Sequence, residues 1–316
     1  MRCLVTGVAG FVGSTLAERL VSLGHDVLGV DCFTDYYARS NKEENLAALR
    51  AGPRFGFEQL DLATADLVPI VSGADAVFHQ AAQAGVRASW GKTFETYTSC
   101  NVLATQRLLE AAKNAGTVER FVYASSSSVY GDTTDLPMRE TSRPRPFSPY
   151  GVTKLAAEHL AELYRENFGV PTVSLRYFTV YGPRQRPDMG FHRFIARLLR
   201  GEPLPVYGDG EQTRDFTFIE DIVEANLQSL NEGASGVYNI GGGSRVTLND
   251  VLVLLAELTG QKMEIARGDK QAGDVRHTAA DTTRAETELG YKPKVGLREG
   301  LARQVEWMKA HPQAWG

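Results

Sequence analysis

Short apolar runs alternate with longer amphipathic stretches through the first half of the chain. Arg2–Thr6 reads as a strand and residues 11–23 as a helix, with further strands at 26–30, 55–59 and 76–78. A long helical pattern covers 94–115, a strand follows at 120–124, a helix at 150–168 and a strand at 172–176. Strands separated by helices require crossovers, and crossovers build a parallel sheet with helices on both faces. The expected fold class is α/β, a doubly wound parallel sheet with a smaller C-terminal lobe. Beyond Arg176 the pattern loosens, interrupted by Pro183, Pro187, Pro203 and Pro205. A helix at 219–230 and a strand at 237–240 are expected to rejoin the sheet. Helices at 248–258 and 297–308 belong to the smaller lobe. The division expected is 1–178 for the sheet domain, with segments near 214–242 returning to it, and 179–316 mainly for the second lobe.

The bulk properties exclude several classes. A hydrophobic content of 43% supports a full core, and a formal charge of -4 argues against a nucleic-acid surface. Cys3, Cys32 and Cys100 are too widely spaced for a metal knuckle or a disulfide framework, so no metal is expected. No apolar run reaches the ~20 residues of a membrane span. The apolar start, Met1-Arg2-Cys3-Leu4-Val5-Thr6-Gly7, reads as a strand entering a glycine turn rather than as a signal peptide, and a reduced, cytoplasmic setting is expected.

The first candidate site is that turn. Gly7, Gly10 and Gly13, with Phe11 and Val12 between them, stand where a strand gives way to a helix. Glycine lets backbone approach a pyrophosphate closely, and the helix start offers N–H groups and a positive dipole end. The spacing is G-x-x-G-x-x-G rather than G-x-G-x-x-G, and a tight turn without a ligand has the same sequence. Asp31 favours the ligand: it ends the second strand, where a carboxylate accepts hydrogen bonds from adenosine ribose hydroxyls and repels a 2′-phosphate. That selects NAD over NADP in a Rossmann-type sheet. Asp61 and Leu62 would lie beside the adenine, although an exposed turn aspartate reads the same way. Gln80, Ala81 and Ala82 follow the fourth strand and leave room for a cofactor, while His79 reads as a satisfied buried histidine.

The second candidate is Tyr150-Gly-Val-Thr-Lys154. Residues four apart share a helix face. Ser148 suits the N-cap and Pro149 the first turn. A tyrosine base at neutral pH needs a shift of roughly 3 units, about 4 kcal/mol, which a lysine charge and a positive nicotinamide ring both assist. Ser125-Ser126-Ser127-Ser128-Val129-Tyr130-Gly131 directly follows a strand and places hydroxyls where such sheets bind ligands.

Taken in order, the glycine triplet, Asp31, the serine-rich Val-Tyr-Gly turn, Tyr150/Lys154 and Arg176-Tyr-Phe-Thr-Val-Tyr-Gly-Pro183 resemble an extended short-chain dehydrogenase/reductase of the nucleotide-sugar epimerase/dehydratase group over nearly the full length. The resemblance implies that Ser126 is the catalytic serine, Ser128 a second substrate contact, Tyr150 the base and Lys154 its partner, with Tyr177 near the nicotinamide. It implies further that Arg214 and Arg276 bind a diphosphate and that Tyr207 and Phe191 line a uridine pocket. It also implies a homodimer joined through the helices at 94–115 and 150–168.

In this group the phenolate takes the proton of a UDP-sugar 4′-hydroxyl while NAD accepts the C4′ hydride, and the ketone is then dehydrated, decarboxylated or epimerised. Dehydratases carry an acid pair before Val-Tyr-Gly and decarboxylases commonly a Glu. Ser127-Ser128 here provide neither, so epimerisation with tightly held NAD is expected. Thr179-Val-Tyr-Gly-Pro-Arg184-Gln-Arg186-Pro-Asp-Met189 and Ala84-Gly-Val-Arg87 resemble UDP-glucuronate 4-epimerases. Oxidising glucuronate at C4′ creates a β-keto acid, which must be held out of alignment to keep its CO2. A cation with hydroxyls can do so, and the candidates are Arg186, Thr179 and, more weakly, Arg87. UDP-glucose/UDP-galactose 4-epimerisation and UDP-glucuronate decarboxylation are the alternatives.

Overall fold

The computed structural model describes residues 1–315. Six strands, β1 (Arg2–Thr6), β2 (Asp26–Asp31), β3 (Phe55–Gln59), β4 (Ala76–His79), β5 (Arg120–Ser126) and β6 (Thr172–Tyr177), alternate with helices. The chain then forms β7 (Thr179–Tyr181), β8 (Leu204–Tyr207) and β9 (Thr213–Phe218) before β10 (Gly236–Ile240) returns beside β6. The central sheet is parallel throughout, in the order β10-β6-β5-β4-β1-β2-β3. Two small sheets, built with β11 (Arg245–Thr247) and β12 (Ile265–Gly268), belong to the smaller lobe and run β11-β9-β7 and β12-β8.

Alternation along each strand creates two apolar layers. Val5 and Phe78 join one core with Leu16 and Ile222, while Leu4 and Val77 join the other with Leu108 and Ala157. Each such side chain contributes about 1.5–3 kcal/mol by burial. A third core around Phe191, Ile195, Leu204, Phe216, Leu252 and Leu301 fills the smaller lobe.

The sheet changes winding direction between β1 and β4, which pair side by side. Their C-terminal ends therefore open the crevice in which doubly wound folds bind ligands. The glycine turn, the serine turn and Tyr150 border the cavity that opens there.

Two helical expectations gain detail. The stretch 94–115 is helical throughout, but Thr98–Leu103 widens into a π turn between Phe94–Tyr97 and Ala104–Ala115. Helix Pro149–Phe168 is capped by Ser148, whose Oγ accepts the Gly151 N–H at 3.1 Å, and it ends at Gly169 with φ 70°. The helices Arg39–Arg50 and Gly190–Arg200 were not foreseen.

Candidate active site

A single cavity of about 920 Å³ runs from the glycine turn, past Tyr150, to Tyr207 and Arg214. It is lined by Gly7, Gly10, Phe11, Val12, Gly13 and Asp31 at one end, then by Asp61, Leu62, Gln80, Ala81 and Ala82. Ser126, Ser128, Tyr150, Lys154, Tyr177 and Thr179 line its middle. Arg87, Arg186, Phe191, Tyr207 and Arg214 line the remainder. Of the residues expected from the sequence, only Arg276 lies outside it. Arg276 is exposed and donates to both oxygens of Asp209, at 2.7 and 2.9 Å.

The glycine turn is dictated by crowding. Gly7 has φ 67°, and a Cβ there would stand 2.7 Å from the Ala81 Cα. A Cβ on Gly13 would stand 2.2 Å from the Gly7 carbonyl oxygen, so only glycine lets the helix start so close to β1. Asp31 secures the same turn: its carboxylate accepts the Ala9 and Phe33 N–H groups at 3.2 and 2.8 Å. Lys42, buried on helix Arg39–Arg50, lies 3.9 Å from it and donates to the Thr34 carbonyl.

Two features fit a dinucleotide. Backbone N–H groups at the start of helix Phe11–Ser22 border the cavity next to the Asp31 carboxylate. Deeper in, the Lys154 ammonium is 3% exposed, lines the cavity and donates to no protein atom among the described residues. Burial drives its pKa down to about 7, against the opposing pull of Glu158. A buried ammonium without acceptors is costly, and ligand hydroxyls would supply the missing bonds.

Tyr150 stands one helical turn from Lys154. Its ring borders the cavity and meets Tyr97 edge-on at 6.3 Å, with the Ser126 hydroxyl close enough to act on the phenol. Burial raises the phenol's pKa, while the Ser126 hydroxyl and the positive charge of Arg186 lower it. The sequence reading gave the lowering to Lys154 and to a bound nicotinamide ring; Lys154 Nζ lies over the Tyr123 ring at 4.6 Å, and Arg186 is a further cation acting on the phenol.

The platform beneath is a buried ion pair. Arg176 donates to Glu158 at 2.6 and 3.0 Å, Ser125 donates to the same carboxylate at 2.5 Å, and Arg176 reaches the Tyr130 hydroxyl at 2.7 Å. Glu158 lies one turn beyond Lys154, so the network ties helix Pro149–Phe168 to β5, β6 and the serine turn. Breaking such a buried pair by removing one partner costs about 3–5 kcal/mol. Asn101 does similar work from the π turn. It accepts the Gln83 N–H at 2.7 Å and donates to the Gln83 carbonyl at 3.1 Å and the Thr153 hydroxyl at 3.0 Å. The backbone after β4 is thereby pinned to helix Pro149–Phe168.

His79 is held between the hydroxyls of Thr6 and Thr105 at 2.8 and 2.9 Å, and burial pushes its pKa down to about 3. It is a neutral structural residue, as expected. Tyr177 accepts the Asn226 amide at 2.7 Å and donates to Gln80, which fixes both cavity residues.

The arginines separate into two groups. Arg186 donates twice to Asp188, at 2.9 and 3.0 Å, near Tyr150. Arg87 lies over the Tyr207 ring at 4.6 Å and pairs with Asp274 at 2.6 Å, and Arg214 shares that end of the cavity. Arg214 donates only to the carbonyls of Thr213, Val275 and Arg276, with no carboxylate at ion-pairing distance among the described residues. Arg184 pairs with Glu18 at 2.8 Å.

Tyr36, Tyr37, Lys42 and Asp188 also line the cavity and were missed. The sequence signal available was the Tyr-Tyr pair shortly after Asp31, in a loop with no periodicity to place it.

A family model described as the NAD dependent epimerase/dehydratase family matches residues 3–241. A relative named as an uncharacterized UDP-glucose epimerase, YtcB of Bacillus subtilis, is 44% identical over 98% of each chain. A UDP-glucuronic acid 4-epimerase from Bacillus cereus, solved with UDP-glucuronic acid and NAD, superposes with a TM-score of 0.95 at 41% identity, covering 98% of this chain and 99% of that one. MoeE5, solved with UDP-glucuronic acid and NAD, superposes at 0.89 with 46% identity, covering 98% of this chain and 99% of that one. MoeE5 has also been solved with UDP-glucose and NAD.

Proposed function

The chain belongs to the NAD dependent epimerase/dehydratase family, and on that premise we propose that it interconverts UDP-glucuronate and UDP-galacturonate by epimerisation at C4′. The observation that carries this reading is Ser126, Tyr150, Lys154 and Arg186 meeting in one cavity that also contains the glycine turn and Asp31.

Gly7, Gly10 and Gly13 would hold the pyrophosphate of NAD, Asp31 the adenosine ribose, and Lys154 the hydroxyls of the second ribose. Bound NAD supplies a reversible hydride acceptor at C4′. Tyr150 takes the proton from the 4′-hydroxyl and later returns it. Ser126 and Ser128 hold the same oxygen and orient the sugar. Arg214 and Arg87 face the diphosphate, where forked guanidinium donors match phosphate oxygens. Phe191 and Tyr207 flank the nucleoside. Arg276, held by Asp209 at the rim, reaches the diphosphate only by exchanging that partner.

Arg186 and Thr179 fix the C5′ carboxylate. Held out of line with the C4′ carbonyl, that carboxylate keeps its CO2 while the ketone turns over. Decarboxylases need the opposite alignment, and Ser127-Ser128 supply no acid to assist it.

A second reading, UDP-glucose/UDP-galactose 4-epimerisation, is favoured by the name of the B. subtilis relative and by the UDP-glucose complex of MoeE5. Incubation with UDP-glucuronate and with UDP-glucose separately, followed by NMR of the products, decides between them. UDP-galacturonate without CO2 is expected from the acidic sugar. A UDP-pentose product, or conversion of the neutral sugar alone, contradicts the assignment.

We further assign a homodimer and a reducing, cytoplasmic setting. Phe94, Leu103, Val152, Leu163 and Phe168 are exposed apolar residues on or beside the two helices expected to meet a second copy. The cysteines are free thiols, and no described helix is long and apolar enough to cross a membrane.

A further inference from the structure

We propose that Asp188 sets the sugar specificity of this site: as the resident counter-ion of Arg186, it neutralises that guanidinium, so one pocket takes both the acidic and the neutral UDP-hexose. This deepens the C4′-epimerase reading and rests on it.

The pair is built locally. Arg186 Nε donates to Asp188 Oδ1 at 2.9 Å, and Nη2 donates to Oδ2 at 3.0 Å. Two residues of one loop hold each other, so the contact does not wait for a ligand. Tyr36, from the loop after β2, donates to Asp188 Oδ2 at 3.3 Å and fixes the carboxylate from the other side. Burial disfavours the Arg186 charge and Asp188 opposes that by pairing with it; Arg186 in turn acts on Tyr150. Both members of the pair line the cavity, with side-chain exposures of 22% and 32%.

Consider each sugar against that arrangement. A neutral hexose beside a lone, partly desolvated guanidinium would leave the charge without an acceptor. Asp188 supplies one before the sugar arrives. An acidic hexose still finds the Nη1 end of Arg186, which donates to no protein atom among the described residues. Its carboxylate then shares one cation with Asp188, and repulsion between the two carboxylates offsets part of the attraction. Discrimination between the sugars is therefore modest, and Asp188 is what makes it so.

The test uses purified holoenzyme and compares kcat/KM for UDP-glucuronate and UDP-glucose. Wild type is expected to epimerise both, within about 100-fold of each other. Asp188→Asn keeps one acceptor for Arg186 and removes the competing charge. It should raise the glucuronate-to-glucose ratio about tenfold or more, and Asp188→Ser should shift it the same way. Taking the ratio within each variant cancels any general loss of activity. Wild type that converts UDP-glucuronate alone leaves the epimerase reading standing and overturns the role given to Asp188. A ratio unchanged or lowered in the variants overturns it as well. Turnover of neither sugar by wild type sinks the epimerase reading itself, and this proposal with it.

Discussion

Tyr150→Phe is expected to lose at least about 10³-fold in kcat, within the 10²–10⁴ range typical of a positioned acid–base group. The fold and NAD content should survive, because the ring keeps its edge-on contact with Tyr97 and only one hydroxyl is removed. The size of the effect follows from the ionisation of the site. Burial pushes the phenol up, and only the Ser126 hydroxyl and the charge of Arg186 oppose it. Burial also pushes the Lys154 ammonium down, to about 7. The protein alone therefore biases both groups towards their neutral forms. No neighbouring side chain replaces the phenol: His79 is neutral, bonded on both nitrogens and sealed beneath the cavity. The acid limb should carry the same signature, with wild-type activity falling as pH drops through the phenol's pKa. Steady-state turnover with NAD quantified in the same preparation checks both points. A variant retaining more than a tenth of wild-type kcat would remove Tyr150 from the chemistry.

Arg186→Ala is expected to lose about 10–100-fold in kcat/KM for UDP-glucuronate, the worth of one charge-assisted bond of about 1.5–3 kcal/mol. More informative is the product. With the clamp gone, the C5′ carboxylate of the ketone can rotate into line with the carbonyl, and CO2 should escape. Trapping labelled CO2 alongside NMR of the sugar products measures the partition. Since Arg186 also lowers the Tyr150 pKa, the variant's acid limb should move to higher pH. An unchanged product ratio would reassign the clamp to Thr179 or to Arg87. Arg87 is the poorer candidate, because it sits with Tyr207 and Asp274 at the nucleotide end.

What the sequence made legible were features fixed by local chemistry. Gly7 and Gly13 announced a turn only glycine can make, and Ser148-Pro149 announced the start of the catalytic helix. The inner strands of the central sheet were readable because burial on both faces makes them short apolar runs, while the edge strand β3 showed only the alternation of Phe55 and Phe57 with more exposed neighbours. In the smaller lobe the helices Leu248–Thr259 and Leu297–Ala310 were readable close to their expected bounds, but the strands were not. β7 and β11 are three residues long, and β8 contains Pro205. Helix Arg39–Arg50, Arg-Ser-Asn-Lys-Glu-Glu-Asn-Leu-Ala-Ala-Leu-Arg, presents only Leu46 and Leu49 as buried leucines, too few to mark a period. Helix Gly190–Arg200 is clearly amphipathic, yet the prolines before it obscured its start. At the site, arginines were legible as residues but not as pairs. Arg276 faces Asp209 at the surface, Arg186 faces Asp188, and Arg214 is held by three carbonyls. The contacts of Arg276 and Arg214 depend on segments that meet only in the folded chain, whereas Arg186 and Asp188 pair within one loop. Asn101 was hidden for a related reason, since its reach depends on a π turn that helical periodicity does not report.

The central claim is that Tyr150 and a coenzyme held on the glycine turn oxidise and reduce one carbon inside a closed site. Conversion of UDP-glucuronate carrying deuterium at C4′, in ordinary water, tests this most directly. Full retention of the label at C4′ of the UDP-galacturonate product is the outcome predicted here. Loss of that label to solvent would contradict it.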